Sequence, residues 1–600
     1  MKNKTILLSI FCCIIFWNCS RDTGVFAPDR VYPGSKKEGI FVTNRGENEL
    51  LLLTPDLKTV KSANKFTAPV NDLICMADNR VWVVCDGVNG MMHELNGEDL
   101  AIRSSIEVGG FPSALMYNAQ SGTFWVTHRF ENTIKEVDPR TRKVISSVEV
   151  GREPVDMISF CSDSLLLIAN NMPEMSSLSY PLGAQLSVFD IFSKKVNKRI
   201  LLPNGSTDVK EMAVSDDKSY AYVTHLLSRY QLPTNQVDRG WMCTNALSII
   251  DLKNQEWLTT VLLDTPQKGS ANPWGVALSG DNQYIVVAAS GVHELVSIDR
   301  AALHRRLEDV KNGIKVTPST SDWQDIPNDA GFLYGISSYI STEGKGPRGV
   351  AAIGNQIYCS NYFTGEIVNV DLITEKKNVR PVKGTPLTAT QEGKGNMYFC
   401  DASIGFQGWQ SCASCHPNDA RTDGLNWDLL NDGMGNSKNT KSMLFSHQTA
   451  PCMVTGIRKD AETAVRSGLK YILFSQPNEE ISLAMDAYLK SLRPVPSPYL
   501  ENGQLSAGAR RGKELFDTNC ASCHSGAYYT DMKQYRISWS QGTEENKKMD
   551  VPALNEVWRT APYLYDGRSY SLKDMLQIHG PQENLSESEL TDLAEYVLSL

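Results

Sequence analysis

From about residue 41 to residue 372 the chain runs in short apolar segments, each ending on a polar residue and followed by turn-forming residues. Val42-Thr43-Asn44, Val84-Cys85-Asp86, Val126-Thr127-His128 and Ile168-Ala169-Asn170 close four such segments, and their last residues recur every 42 positions. The same ending returns at Val223-Thr224-His225, Ala288-Ala289-Ser290 and Cys359-Ser360-Asn361. The spacing widens there, with insertions at Pro173–Pro181, Ser228–Met242 and Ala301–Gly346. A second mark, an apolar residue followed by Asp, trails the segments at Val137-Asp138, Phe189-Asp190, Ile250-Asp251, Ile298-Asp299 and Val370-Asp371. An all-strand period of about 40–45 residues is what a four-stranded propeller blade produces, so seven copies predict seven blades over residues 38–380. The seven terminal polar residues should share one face. They suit turns in which a polar side chain satisfies nearby backbone groups, although His128 and His225 raise the alternative of a metal or ligand site. Insertions into a strict period predict interaction loops.

Past Asn378 the strand signature stops and helical periodicity takes over, after a Gly-, Pro- and Thr-rich linker at Gly384 to Gly395. This half is duplicated. Thr422-Asp423 maps onto Thr530-Asp531, and Tyr488, Leu489, Ser491 and Leu492 map onto Tyr596, Val597, Ser599 and Leu600, all at an offset of 108. Gly395-x-x-x-Phe399 matches Gly512-x-x-x-Phe516, and Thr449-Ala450-Pro451 with Gly456 matches Thr560-Ala561-Pro562 with Gly567. The last helix starts with a capping box, Ser586 with Glu589, and lines up Leu590, Leu593, Val597 and Leu600 on one face. Arg493-Pro494-Val495-Pro496-Ser497-Pro498 is a stiff connector between the copies. The expectation is a multidomain chain: an all-β seven-bladed propeller followed by two tandem all-α domains, at 390–496 and 504–600.

Composition changes this picture little. A net charge of −9 with no basic stripe argues against nucleic acid as a partner. Lys2 and Lys4 precede an apolar run from Ile6 to Trp17, which suits a signal peptide and is too short to span a bilayer. The run ends at Cys19, as in a bacterial lipoprotein signal, so residues 1–19 are expected to be removed and Cys19 lipidated; a plain secretory peptide cut further on is the alternative. Either way the mature protein is expected in the periplasm or cell envelope, attached to a membrane by lipid in the first case. No other segment is long and apolar enough to cross a membrane.

The chemistry is concentrated in the helical half. Cys-x-x-Cys-His occurs twice, at Cys412 to His416 and at Cys520 to His524. Two thiols at this spacing can form thioethers to the two vinyl groups of one porphyrin, and the next His reaches the iron. The two copies predict two covalently bound haem c groups, so the tandem helical domains are expected to be c-type cytochromes, with one-electron chemistry at two irons. Of the other cysteines, Cys75, Cys85, Cys161, Cys243, Cys359, Cys400 and Cys452 are odd in number and show no disulfide framework. Most are expected to be small buried apolar residues.

The first half resembles the YVTN family of propellers, whose name describes the strand ending seen here. The region from Gly395 to the C-terminus resembles the bacterial di-haem cytochrome c peroxidase family and its relatives that oxidise proteins, most specifically in Val551-Pro552-Ala553-Leu554-Asn555 and Thr560-Ala561-Pro562-Tyr563-Leu564-Tyr565-Asp566-Gly567. His416 and His524 are the proximal ligands. The second haem's distal ligand in that family falls at His579, which implies a bis-His, six-coordinate iron, with Met575 as rival ligand. The first-unit position matching His579 is Gly468. The distal ligand of haem one is then Met434, His447, Met443 or Met453, or the site is open. Glu462 lies near the family's acid–base carboxylate, and Val454 occupies the place of its inter-haem aromatic residue.

Three functions follow. One is a peroxidase-like oxidoreductase acting on hydrogen peroxide, a protein or a small electron donor or acceptor. Another is an electron carrier with both irons six-coordinate and the propeller docking a redox partner. The third is a propeller that binds a ligand or polymer while the haems are accessory.

Overall fold

The computed structural model describes residues 24–34, 39–232, 242–381, 384–429, 435–476, 478–579 and 585–600. Cys19 and Met434 lie outside these residues. Seven antiparallel sheets of consecutive strands, at 28–65, 70–107, 112–149, 154–201, 206–262, 273–341 and 347–381, form the blades of a propeller. Six have four strands. The fifth has its innermost strand split into Ser206–Thr207 and Met212–Val214.

The sequence pattern follows each strand's place in its blade. Second strands such as Ile40–Asn44, Thr123–His128 and Leu165–Asn170 are buried on both faces, which is why they read as unbroken apolar runs. Outer strands such as Val60–Lys65 alternate between half-buried and exposed positions. The polar residues that end the second strands bond within their own blade or to the connection that leads into it. His128 Nδ1 lies 2.7 Å from the Gly110 carbonyl, His225 Nε2 lies 2.8 Å from Ser248 Oγ, and Asn361 donates to the Thr342 carbonyl.

The first residue of the innermost strand is Pro in blades 1, 3, 4, 6 and 7, where it sacrifices no ladder hydrogen bond, and a bulge follows it. Residues at such bulges reach the next blade. Asp72 accepts from Leu115 N and Asp156 from Met212 N, each at 2.7 Å. Ser360 Oγ donates to the Asp29 carbonyl at 2.7 Å and closes blade 7 on blade 1. Outside the ring, Val25–Phe26 pairs in parallel with Thr385–Pro386.

The insertion at Ala301–Gly346 is not a free interaction loop. Its helix Arg300–Lys311 and the turn after it bury Leu303, Leu307, Ile326 and Phe332 in the largest apolar cluster, against blades 5 and 6.

The helical half contains two crossed helix pairs, Gln391–Cys400 with Glu479–Ser491 and Ala507–Asn519 with Glu587–Leu598. Gly395 and Gly512 sit at the two crossings, where a Cβ would run into the backbone of Ala484 and Asp592. One turn on, Phe399 meets Tyr488 at 5.4 Å and Phe516 meets Tyr596 at 5.2 Å. The repeated Gly-x-x-x-Phe is therefore a crossing motif. The two Thr-Ala-Pro segments also share a conformation: bridges join Cys452 to Arg458 and Tyr563 to Ser569, and φ is 74° at Met453 and 73° at Leu564.

Both helix pairs rest on the propeller face where the second strands end. Asn272 Nδ2 donates to Ser411 Oγ and its Oδ1 accepts from Ser414 Oγ, both at 2.8 Å. Thr207 Oγ1 donates to the Asp423 carbonyl, and Arg152 to the Arg559 carbonyl. The insertion at Pro173–Pro181 grips both units, with Ser177 Oγ donating to Gly424 O and Ser177 N to Gly567 O. Its partner is the protein's own second half.

Candidate functional site: two Cys-x-x-Cys-His centres

In the second unit the helix Ala507–Asn519 starts at a Ser506 cap and ends at the motif. His524 N donates to the Cys520 carbonyl at 2.9 Å, and Nδ1 sits 2.9 Å from the Tyr529 carbonyl. A ring held at Nδ1 by a carbonyl keeps its proton there and presents Nε2 as a ligand. His579 ends the helix Leu572–His579 and faces His524, the ring centroids 6.3 Å apart and the planes at 84°. Two metal–imidazole bonds of roughly 2 Å, plus roughly 1.1 Å from each nitrogen to its ring centre, span about 6.2 Å. The pair therefore fits one iron between the two rings. Burial disfavours the protonated imidazolium, which cannot ligate a metal, at both rings: His579 is pushed down to about 4, with His524 adding to the effect, and His524 is also lowered. Trp539 Nε1 donates to His579 Nδ1 at 3.0 Å, and the indole stacks on Tyr565 at 5.8 Å and 19°. Met575 packs into this unit's apolar core.

In the first unit the motif helix starts from a Ser411–Ser414 capping box. His416 repeats the geometry of His524: its N donates to the Cys412 carbonyl, and Nδ1 is 3.1 Å from the Arg421 carbonyl. Burial pushes it down to about 4. Asn418, Asp419 and Ala420 follow, all left-handed, with φ of 56°, 64° and 62°. The turn carries Asp419 toward Arg559, Arg421, Arg45 and Arg129, which together outweigh its burial and hold its carboxyl below the usual range. Arg421 donates to both oxygens of Glu556, from Nε at 2.6 Å and Nη2 at 3.0 Å, in a fully buried fork between the units.

His447 Nε2 is 3.0 Å from Asp486 Oδ1, and Asp486 also binds Arg466 at 2.8 Å. Met443 packs with Cys412, Ala413 and Phe445. Gly468 lies in the helix Ala461–Tyr471, and a Cβ added to it would meet no atom within 4 Å. Glu462, in the first turn of that helix, pairs with Lys490 at 2.8 Å and is half exposed, its carboxyl lowered chiefly by that hydrogen bond.

Two features escaped sequence reasoning. Cys243 is buried as expected of a small apolar residue, but its sulfur lies 4.0 Å from that of Cys415, so the fifth blade reaches the first motif. Phe445 and Tyr528 meet at 4.9 Å across the two units, whereas Val454, in the family's aromatic position, pairs through its carbonyl with Asp550 N. Neither carries a local motif; only the packing of segments far apart in sequence, between the halves for Cys243 and between the two units for Phe445, brings them together.

Residues 509–600 match the Cytochrome c family. The chain is 25% identical to hydrazine synthase subunit gamma of Kuenenia stuttgartiensis over 36% of this chain and 80% of that protein. It is 22% identical to hydrazine synthase subunit beta of the same organism, over 42% of this chain and 60% of the subunit. It is 23% identical to the methylamine utilization protein MauG of Methylophilus methylotrophus, over 36% of this chain and 79% of that protein. The chain thus joins a seven-bladed propeller to a C-terminal cytochrome c domain. It is homologous to hydrazine synthase and to MauG, a protein of the di-haem cytochrome c peroxidase-like family, and these relatives with the cytochrome c domain support a haem-based redox function.

Proposed function

We propose that the protein is an exported di-haem c-type oxidoreductase in which two tandem cytochrome c domains divide the work. Cys412 and Cys415 would hold one haem, with His416 as proximal ligand; Cys520 and Cys523 would hold the other, between His524 and His579. A haem held in this way supplies one-electron exchange at its iron. The chain's part is to orient His416 and His524 through the Arg421 and Tyr529 carbonyls, to close the second iron with His579, and to leave the matching place in the first unit to Gly468. The observation that carries this reading is the facing pair His524 and His579, set against a glycine with open space at the equivalent position.

The division supports a peroxidase-like reaction at the first centre, with the second relaying electrons. The buried pair His447–Asp486 is a candidate proton-handling group shielded from solvent, whereas Glu462 is tied to Lys490 at the surface. Similarity to two different hydrazine synthase subunits within one chain supports a catalytic assembly of propeller and cytochrome units; the low identity carries over no substrate. Cys19 would anchor the mature protein by lipid in the cell envelope. The test is rapid mixing of the half-reduced holoprotein with hydrogen peroxide. A change confined to one high-spin haem supports the reading. Two low-spin haems that ignore peroxide would favour an electron carrier, with Met434 closing the first iron.

A further inference from the structure

The second unit carries a hairpin between its motif and the Thr-Ala-Pro segment, pairing Gln534–Arg536 with Lys548–Asp550. It folds over the second centre from two sides. Tyr535 Oη donates to Asp531 Oδ2 at 2.6 Å and lies beside the Cys523 sulfur. Trp539, in the connecting loop, holds His579 as described above.

The outer side of the hairpin is apolar at its centre. Met532 is 45% exposed and Tyr535 38%, and Gln534 ties them to the segment bearing Ile457, itself 39% exposed, by donating to the Thr455 carbonyl. Beside these groups Lys533, which pairs with Asp531 at 3.6 Å, and the cross-strand partners Arg536 and Lys548 are exposed. The hairpin's acids are mostly turned inward. Glu544 is buried against Lys438 and Lys547, and Asp550 binds Lys441 at 3.0 Å, which leaves Glu545 outside. A chain of net charge −9 thus shows a cationic, aromatic patch beside Cys523 of its second centre.

We propose that this hairpin is the surface on which a small acidic redox protein docks to exchange electrons with the second haem. The inference rests on the reading of the second unit as a relay. An apolar centre with a charged rim is the anatomy of a transient protein interface. A local field opposite in sign to the rest of the molecule orients an acidic partner and raises its rate of encounter.

The experiment uses the full holoprotein, an acidic blue-copper protein and a basic c-type cytochrome as protein probes, and a small cationic ruthenium ammine reductant. Electron exchange with the second haem is followed by stopped flow at low and high salt. The acidic probe should react faster than the basic one and slow as salt rises. Combined Lys533→Glu, Arg536→Glu and Lys548→Glu should cut the acidic probe's rate at low salt by about 10-fold or more and reverse its salt dependence. Lys548→Gln alone should lower it less. Mass and the spectrum of the second haem check that each variant is intact. An unchanged rate and salt slope in the triple variant would overturn the docking surface. So would failure of both protein probes where the ruthenium complex still reduces the second haem. Failure of the ruthenium complex as well would overturn the relay reading beneath it.

Discussion

The two helical units share a scaffold and differ in what fills it. Each crosses its helices on a glycine, holds the motif histidine by a backbone carbonyl five residues on, and repeats a bridged Thr-Ala-Pro turn. Twelve residues after the glycine that ends this turn, one copy has Gly468 and the other His579. The surroundings differ as well. The first motif lies under the propeller, with Ser414 fully buried, while in the second Ser522 is exposed. A duplicated fold can therefore be specialised by one ligand position and by what covers it.

The largest effects should come from exchanging that position. His579→Ala should convert one haem from low to high spin in absorption and spin-resonance spectra. Gly468→His should do the reverse at the first haem and suppress its response to peroxide, since the site has room for a side chain. Unchanged spectra in both variants would end the distinction between the units.

The support of the two histidines differs too. His524 leans on Tyr529, which packs on Phe516 within its own unit, while His416 leans on Arg421, whose fork reaches Glu556 in the other unit. Glu556→Gln breaks the buried fork and leaves Arg421 with Asp419 as its nearby counter-charge, so the loss should stay below the roughly 3–5 kcal/mol of a fully unpaired buried charge. Thermal unfolding should register this loss, and the spectrum of the first haem should shift while that of the second stays in place. An equal shift in both would show that the fork does not single out the first centre.

Much of this was legible in the chain. The 42-residue period pointed to the propeller because buried second strands must be apolar throughout, and the repeated Gly-x-x-x-Phe marked the duplication, although its role at the helix crossings emerges only from the structure. Contacts between the halves were not legible. Nothing around Ser177 or Cys243 signals that each meets a residue more than 170 positions away, and the insertions read as loops for outside partners because a broken period says nothing of what the extra residues touch.

The repeated Asp gives a smaller, pH-dependent contrast. Asp423 and Asp531 occupy equivalent places, each bonded to an aromatic residue four positions on, Trp427 and Tyr535. Burial pushes Asp423 up to about 7, whereas at Asp531 the Tyr535 hydroxyl and Lys533 outweigh desolvation and hold the carboxyl low. A raised folded-state value means that the folded protein keeps a proton the unfolded chain has lost. The stability this contributes is complete below 3.8 and disappears as pH rises toward about 7. Asp423→Asn removes that dependence, at most about 4 kcal/mol across the window. Its melting temperature should therefore trail the parent's at low pH and close the gap by pH above about 7. A gap that stays constant with pH would assign the proton elsewhere.

The smallest effect separates the second centre's ligand from its support. Trp539 can only donate, so Nδ1 of His579 accepts, and a neutral ring then carries its proton on Nε2. A ring that held an iron through Nε2 while Nδ1 accepts would have lost that proton to solvent, and its added electron density would favour the oxidised metal. Trp539→Phe keeps the stacked ring over Tyr565 and removes only the hydrogen bond, worth about 1 kcal/mol. The potential of the second haem should rise by that small amount in a redox titration and become less sensitive to pH, with both haems remaining low or high spin as before. A shift at the first haem instead would place Trp539 on the wrong centre, and with it the asymmetry on which the two units are distinguished.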